Sequence, residues 1–402
     1  MRFRKVIRKL ALRPWLEKKS LRRLAAGQPT LVVFEADWFG LYPFVRPLVL
    51  RFAARPSTAV VVVTRDSETS SIRKWIHREA LRRRSKVAVV SYESLTSVGL
   101  QPALIISCQP YSSIAKSWQN IPKIQLLHGM ADKRGDLFGP RKLTDFTHLF
   151  SPAPVVTELA RDRLLCESRS DQTRLQLVEV GCPKTDDLFD ETFERNEVLR
   201  NLSLPVDRPT VLYAPTWEKE ASLEQHGDRI ASTLSDLDVN LLIKPHPLSL
   251  VDRTNSFLVE NGHGGKDWKH ILKKWERQFP NLRWVRDPYA NPYMVAADLL
   301  VSEGSGIAFE YCLLNKPIVF VDTLLMQGPD EVDTLHRGLR SFGSVVSQIE
   351  ELPSIVKGEL EYATVSDDSN RQMIDRLSYN RGRATITAME FISRLLEIED
   401  AP

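Results

Sequence analysis

Cysteine is scarce in this 402-residue chain: Cys108, Cys166, Cys182 and Cys312 lie far apart, with no CxxC pair. That spacing fits neither a zinc site nor a disulfide framework and points to a reduced, cytosolic setting. No run reaches the roughly 18 apolar residues of a membrane span. No uninterrupted apolar stretch with a small-residue cleavage site marks a secretory leader. Low-complexity tracts and repeats of solenoid period are also missing. What remains is an ordinary globular composition, 43% hydrophobic and 26% charged. It is enough for two domains of usual size, or one large one, with a sizeable core.

The formal charge of +4 hides an asymmetry. Residues 1–25 hold ten Lys/Arg against one acid, Glu17, and without them 45 basic and 50 acidic residues leave a body of net −5. Phe3, Val6, Ile7 and Leu10 share one helical face, with Trp15, Leu16, Leu21 and Leu24 beyond a break at Pro14. Cations opposite aromatic and aliphatic side chains describe a helix lying on an anionic membrane. A solvated helix packed on the body is the competing reading. A nucleic-acid arm is a third, with no binding module beside it. The expectation is a peripheral protein at the cytoplasmic face of the cell membrane, held there through residues 1–25, with no nucleic-acid partner.

From Thr30 the pattern alternates short apolar strands with helices. Strands are expected at 30–35, 59–64, 87–91, 103–108, 123–127, 146–150 and 175–180, then at 210–214, 239–243, 282–285, 299–301 and 318–321. Helices are expected over 38–54, 68–84 and one long one over roughly 370–398. Such alternation predicts parallel sheets built from βαβ units. The proline-rich segment 204–209 reads as a linker and 261–265 as a mobile loop. The fold class predicted is therefore α/β, with two Rossmann-like doubly wound domains facing a central cleft. The basic segment 1–25 precedes a domain over 26–204 expected to hold the acceptor. A nucleotide-donor domain follows over 205–370, and a helix over 371–402 packs across the two.

Open parallel sheets bind ligands outside the carboxyl ends of their strands, and four strand ends here carry chemistry. One runs into His128-Gly129, a second into Pro215-Thr216-Trp217, a third into Lys244-Pro245-His246-Pro247. The fourth runs into Ser302-Glu303-Gly304-Ser305-Gly306 and then an apolar helix containing Glu310. A strand, a Gly/Ser turn and a helix start form an anion site, because backbone N–H groups and the helix dipole both present positive charge. Ser302 and Ser305 can add hydroxyl donors, and Glu310, about one turn further in, can accept from a ribose hydroxyl. Each element alone also fits a rigid turn or a structural histidine; the coincidence of four favours a site. His148, His226, His263 and His270 lack such placement.

Five blocks carry a resemblance: LLHGMADKRG at 126–135, GCPKTDDL at 181–188, LYAPTW at 212–217, KPHP at 244–247 and ADLLVSEGSGIAFEYCLLNKPIVF at 297–320. In that order they resemble the CDP-glycerol glycerophosphotransferases, the teichoic-acid primases and polymerases of GT-B fold. The resemblance covers roughly 120–325. It departs from the family at Lys184, where an arginine is usual, and at Ser302–Ser305, where an Asp-Tyr-Ser-Ser type of turn is usual.

The resemblance implies transfer of a polyol phosphate, glycerol phosphate foremost, from a CDP-activated donor to a hydroxyl on a lipid-linked or growing polymer, releasing CMP. His128 matches the family's first catalytic histidine and suits a general base. His246 is the second, and Lys244, Thr216, Ser302, Ser305 and Gly306 would hold the donor phosphates, with Glu310 on the ribose. Gly129, Lys184, Asp186 and Pro215 would support them. No clustered carboxylates stand beside these turns, so neither an essential metal nor a cofactor is expected. At this length a primase or a polymerase of a single domain pair is expected. The alternatives are a GT-B glycosyltransferase using a nucleotide sugar, a nucleotide-sugar 2-epimerase and a non-catalytic scaffold.

Overall fold

The computed structural model describes residues 2–398 except 28–29, 39, 66–71, 77–86, 110–111, 113–117, 119, 131–142, 144, 167–174, 252–265, 324–337 and 363–367. Most of the helix expected over 68–84, and the loop at 261–265, thus lie outside the described residues. The chain forms two compact units. The first comprises Met1–Gly129, Leu137–Asp186 and Tyr379–Pro402; the second comprises Met130–Asp136 and Asp187–Ser378.

In the first unit seven strands form one parallel sheet in the order β3-β2-β1-β4-β5-β6-β7. They are β1 (Thr30–Glu35), β2 (Thr58–Thr64), β3 (Val87–Ser91), β4 (Leu104–Ser107), β5 (Lys123–Leu126), β6 (His148–Ser151) and β7 (Gln176–Glu179). β2 reads Thr-Ala-Val-Val-Val-Val-Thr and is buried along its whole length, as a strand covered on both faces must be. Its helices are α1 (Arg2–Ala25), α2 (Tyr42–Ala54), α3 (Tyr92–Thr96) and α4 (Pro154–Cys166). The helix expected from residue 38 starts at Tyr42, with Pro43 in its first turn, where a missing N–H costs nothing.

Side chains alternate faces along each strand. Val32, Phe34, Val60, Val62 and Ile106 join one core with α2, while Leu31, Val33, Val61, Val90 and Ile105 join another with Leu21 of α1. The helix α1 runs through Pro14 without the expected break. Its second half is packed on the unit: Leu21 is fully buried, a burial that contributes about 2 kcal/mol. Glu17, the lone acid of this segment, is turned inward. It accepts from the backbone N–H and hydroxyl of Ser91 at 3.0 and 3.1 Å and pairs with Arg73 at 3.1 Å. Trp15 and Leu16 point outward, 57% and 55% exposed, with the Lys19 ammonium 5.1 Å from the Trp15 ring centre.

The second unit begins with α5 (Arg195–Asn201) and carries six parallel strands in the order β10-β9-β8-β11-β12-β13. These are β8 (Thr210–Tyr213), β9 (Asn240–Ile243), β10 (Leu282–Trp284), β11 (Leu299–Ser302), β12 (Ile318–Val321) and β13 (Ser344–Val346). Its further helices are α6 (Ser222–Ser235), α7 (Trp268–Gln278), α8 (Asn291–Ala296), α9 (Gly306–Cys312), α10 (Leu352–Tyr362) and α11 (Asp368–Leu377). The chain then returns to the first unit as α12 (Ala384–Leu396).

Two expectations are corrected. The single C-terminal helix is two, α11 and α12, because Asn380 and Gly382 take left-handed φ values of 46° and 72°, which a continuing helix excludes. The change of unit falls at Asp186/Asp187 and not in the linker at 204–209. That linker is pinned within the second unit: Arg195 donates to the carbonyls of Val206 and Arg208 and pairs with Asp298 at 3.0 Å.

Candidate functional site

Each sheet reverses its strand order beside its first strand, between β1 and β4 and between β8 and β11. Such switch points open a crevice at the carboxyl ends; the exits of β8 and β11 flank one of them, while His128 follows β5 and Lys244 and His246 follow β9, each one strand away.

In the second unit β8 leads into Ala214-Pro215-Thr216 and β11 into Ser302–Gly306. The two exits are tied together. The Ser302 hydroxyl donates to the Ala214 carbonyl at 2.7 Å and lies 2.9 Å from that of Ser305. Glu303 is the organiser that sequence reasoning missed. It is fully buried, and its carboxylate accepts from the backbone N–H of Thr216 at 2.9 Å and of Ser222, at the start of α6, at 2.6 Å. Burial pushes its pKa up, and the two N–H groups oppose the shift. A carboxylate beside a helix start is favoured by the orphan N–H groups there. One side chain thus fixes the β8 exit and the Gly/Ser turn in a single arrangement. Its sequence signal was an acid inside an otherwise small-residue turn.

Thr216 turns its hydroxyl to Glu218 at 2.6 Å. Pro215 and Lys244 are buried just past the ends of β8 and β9. His246 starts a short 3-10 turn, where Nδ1 accepts from the Leu248 N–H at 3.2 Å. In the neutral ring the proton therefore sits on Nε2, which makes that atom a donor. The indole of Trp217 lies alongside, ring centres 6.5 Å apart. Gly306 opens α9, which is only seven residues long. Its first-turn N–H groups, more than an extended dipole, are what it offers an anion. Glu310, on the next turn, is 2% exposed.

In the first unit His128 and Gly129 follow β5. His128 is exposed, and its Nδ1 lies 2.8 Å from the Cys108 carbonyl. A carbonyl only accepts, so Nδ1 carries the proton and Nε2 the lone pair. The two histidines are thus held in opposite tautomers, one ring offering a base and the other a donor. The Phe44 ring stands edge-on to His128 at 6.3 Å, and the Lys184 ammonium is 4.6 Å from the Phe44 ring centre.

The Gly181–Leu188 block builds the fold around that strand end. Gly181 has φ +95°, and a Cβ there would meet the Tyr379 carbonyl oxygen at 2.3 Å. Asp186 accepts from the backbone N–H groups of Ala384 and Thr385 at 3.0 and 2.6 Å, capping α12. A second cluster missed in the sequence lies at the end of β1. The Tyr92 hydroxyl, with its single proton, sits between the Glu35 and Asp37 carboxyls within hydrogen-bond reach of both, and Arg65 pairs with Asp37 at 3.1 Å. Burial raises the Glu35 carboxyl to about 7, with Asp37 adding to the rise and the hydroxyls of Ser112, Tyr92 and Ser107 opposing it. Among the described residues no group of three or more His, Cys, Asp or Glu is placed to hold a metal ion.

Two doubly wound units with polar candidate residues on the loops after β5, β8, β9 and β11 have the open-sheet α/β architecture that binds ligands outside the carboxyl ends of its strands. The chain belongs to the CDP-glycerol:poly(glycerophosphate) glycerophosphotransferase family, whose model matches residues 141–385. It is 22% identical over 222 residues to a teichoic acid poly(glycerol phosphate) polymerase of Staphylococcus epidermidis, covering 54% of this chain and 27% of that protein. It is 24% identical over 226 residues to a teichoic acid glycerol-phosphate primase of Bacillus spizizenii, covering 53% and 51%. The chain thus spans about half or less of the length of these relatives. The solved structure of the wall teichoic acid polymerase TagF superposes with a TM-score of 0.59 at 18% identity, covering 98% of this chain and 97% of that one. A UDP-GlcNAc 2-epimerase from Neisseria meningitidis shares the fold with a TM-score of 0.54 at 14% identity, covering 91% and 99%.

Proposed function

We propose that this protein transfers glycerol phosphate from CDP-glycerol to an acceptor hydroxyl on a lipid-linked or growing cell-surface polymer, releasing CMP. The observation that supports this most is the family match across the second unit, whose strand ends hold Lys244, His246, Thr216 and the Glu303-braced turn together. His128 takes the proton of the attacking hydroxyl through Nε2, while its Nδ1–H stays on the Cys108 carbonyl. His246 donates Nε2–H to the donor pyrophosphate, joined by the Lys244 ammonium. The first-turn N–H of Gly306 receives a phosphate, while the Ser305 N–H stays on the Glu303 carbonyl, and Glu310 accepts from the ribose. The Ser302 hydroxyl is engaged with Ala214, so its part in the phosphate site is to hold Ser305. Lys184 and Asp186 support the His128 side through Phe44 and α12. In phosphoryl transfer such positioning and electrostatics supply most of the rate.

The exposed side of α1 would place the enzyme on its acceptor. Trp15, Lys19, Arg22 and Arg23 share one helical face, while Glu17 and Leu21 turn inward. That face fits the anionic cytoplasmic surface of a membrane. No helix of the described residues is long and apolar enough to cross one.

The test is CMP release with CDP-glycerol, CDP-ribitol or UDP-sugars and a glycerol-phosphate-primed acceptor. CMP released from CDP-glycerol supports the reading. Turnover of a UDP-sugar alone would replace it with a sugar transferase of the same fold.

A further inference from the structure

Three polar residues stand in register across the centre of the first sheet. Glu35 ends β1 opposite Ser107 on β4, and Ser107 lies opposite Gln125 on β5. All three are fully buried, on the face that carries Leu31, Val33 and Ile105 elsewhere. An apolar residue at any of these places avoids a desolvation cost, so the polar row asks for a reason.

The hydrogen bonds supply one. The Ser107 hydroxyl faces the Glu35 carboxyl across the β1–β4 register and favours its charged form, and its oxygen accepts from the Gln109 N–H at 3.2 Å. That N–H and the Cys108 carbonyl are the two ends of one planar peptide unit. The carbonyl end accepts from His128 Nδ1 at 2.8 Å. Gln125 donates its amide to the carbonyl of Gln109, fixing the next peptide unit. A planar unit cannot turn its C=O without turning its N–H, so a hydroxyl on one end aims the acceptor on the other.

We propose that Glu35 and Ser107 are positioning residues for His128, acting through the Cys108–Gln109 peptide unit to hold the ring with its proton on Nδ1. The inference rests on His128 being the base assigned above. Each bond polarises the next: the Glu35 charge beside the Ser107 hydroxyl makes that oxygen a better acceptor, and the peptide carbonyl in turn. In a Ser-His-Asp triad the carboxylate touches its imidazole directly; here it acts from one hydroxyl and one peptide unit away. The groups facing Glu35 are Asp37, Tyr92, Ser112 and Cys108, with Arg65 beyond Asp37. With the Glu35 carboxyl lifted to about 7, the chain is fully polarised above neutral pH.

The experiment is nitrogen NMR of the histidine rings at pH 8 in the full chain, with His128 assigned by loss of its signals in His128→Gln. The wild-type ring should show protonated Nδ1 and unprotonated Nε2. In Ser107→Ala and Glu35→Gln both signals should move toward the averaged values of a ring exchanging tautomers. Turnover should fall roughly tenfold in each, by analogy with the orienting partners of metal-bound histidines, with the donor KM unchanged. Identical His128 signals in wild type and Glu35→Gln would overturn the proposal, and that near-isosteric variant decides alone if Ser107→Ala does not fold. The ring spectrum needs no substrate. Moved signals in a chain inactive on every CDP donor would keep the positioning network and remove only the reaction.

Discussion

Asp186 and Asp187 are neighbours in the chain and belong to different units. The Asp186 carboxylate caps α12 through the N–H groups of Ala384 and Thr385, while Asp187 accepts from the Tyr289 hydroxyl at 2.6 Å and from the Asn291 amide. The change of unit is made within one peptide bond, and each side of it is anchored by a side chain.

Removing one anchor should be measurable. Asp186→Ala leaves two N–H groups at the start of α12 without their acceptor, and loss of a helix cap costs about 1 kcal/mol. Thermal unfolding should show a midpoint lower by roughly 2–4 °C. Donor binding should be unchanged, since the proposed donor residues belong to the other unit.

His128→Ala should lower kcat by about 10²–10⁴-fold, the range of general-base catalysis, and leave CDP-glycerol affinity intact in calorimetry. Loss of donor affinity instead would move His128 from base to donor ligand.

The raised Glu35 carboxyl predicts a pH dependence with a definite sign. A folded pKa near 7 against 4.5 unfolded means the folded state binds the proton more tightly, so stability falls as pH rises across that window. The contribution lost is up to about 3 kcal/mol. Urea unfolding at pH 5 and pH 8 should therefore show wild type losing more stability than Glu35→Gln. Equal losses would mean Glu35 does not titrate there.

Membrane attachment is best tested without cutting into the fold. Deleting residues 1–25 also removes Leu21 and Glu17 from the first unit. Changing Trp15 and Leu16 to alanine and Lys18 and Lys19 to glutamate keeps both buried contacts. At about 1 kcal/mol per basic residue near an anionic surface, liposome affinity should drop more than tenfold, with turnover on a soluble acceptor retained. Undiminished binding to anionic vesicles would exclude α1 as the anchor.

Most of the scaffold was legible because parallel strands covered on both faces are written as apolar runs; twelve strands were expected, though β7, Gln-Leu-Val-Glu at a sheet edge, is not such a run. Ser344–Val346 escaped, being three residues at a sheet edge with a serine first. The strand-end rule singled out His128, His246, Thr216 and the Gly/Ser turn as candidates, and it applied equally to Glu35, which ends the run Thr-Leu-Val-Val-Phe-Glu. Glu35 was passed over because its partners, Tyr92 and Ser107, lie 57 and 72 residues on, and only sheet register brings them to it. Glu303 was hidden for a similar reason: its acceptor role depends on Thr216 and Ser222, 87 and 81 residues earlier. Asp186 and Lys184 were visible as a motif, but their use in docking α12 and meeting Phe44 was not.

The return of α12 to the first unit also sets an order of assembly on the ribosome. The Arg55 guanidinium reaches Ser393 at 3.0 Å, and α12 supplies Ala388, Met389 and Ile392 to the core beneath α2. The unit that emerges first therefore stays incomplete, with an apolar face uncovered, until about residue 396 has been made. The second unit, made of Met130–Asp136 and Asp187–Ser378, has all its segments synthesised before α12 and can finish folding first. A nascent chain stalled near residue 200 should be the form most dependent on chaperones, and a separately expressed N-terminal fragment should need the α12 segment supplied in trans to become soluble.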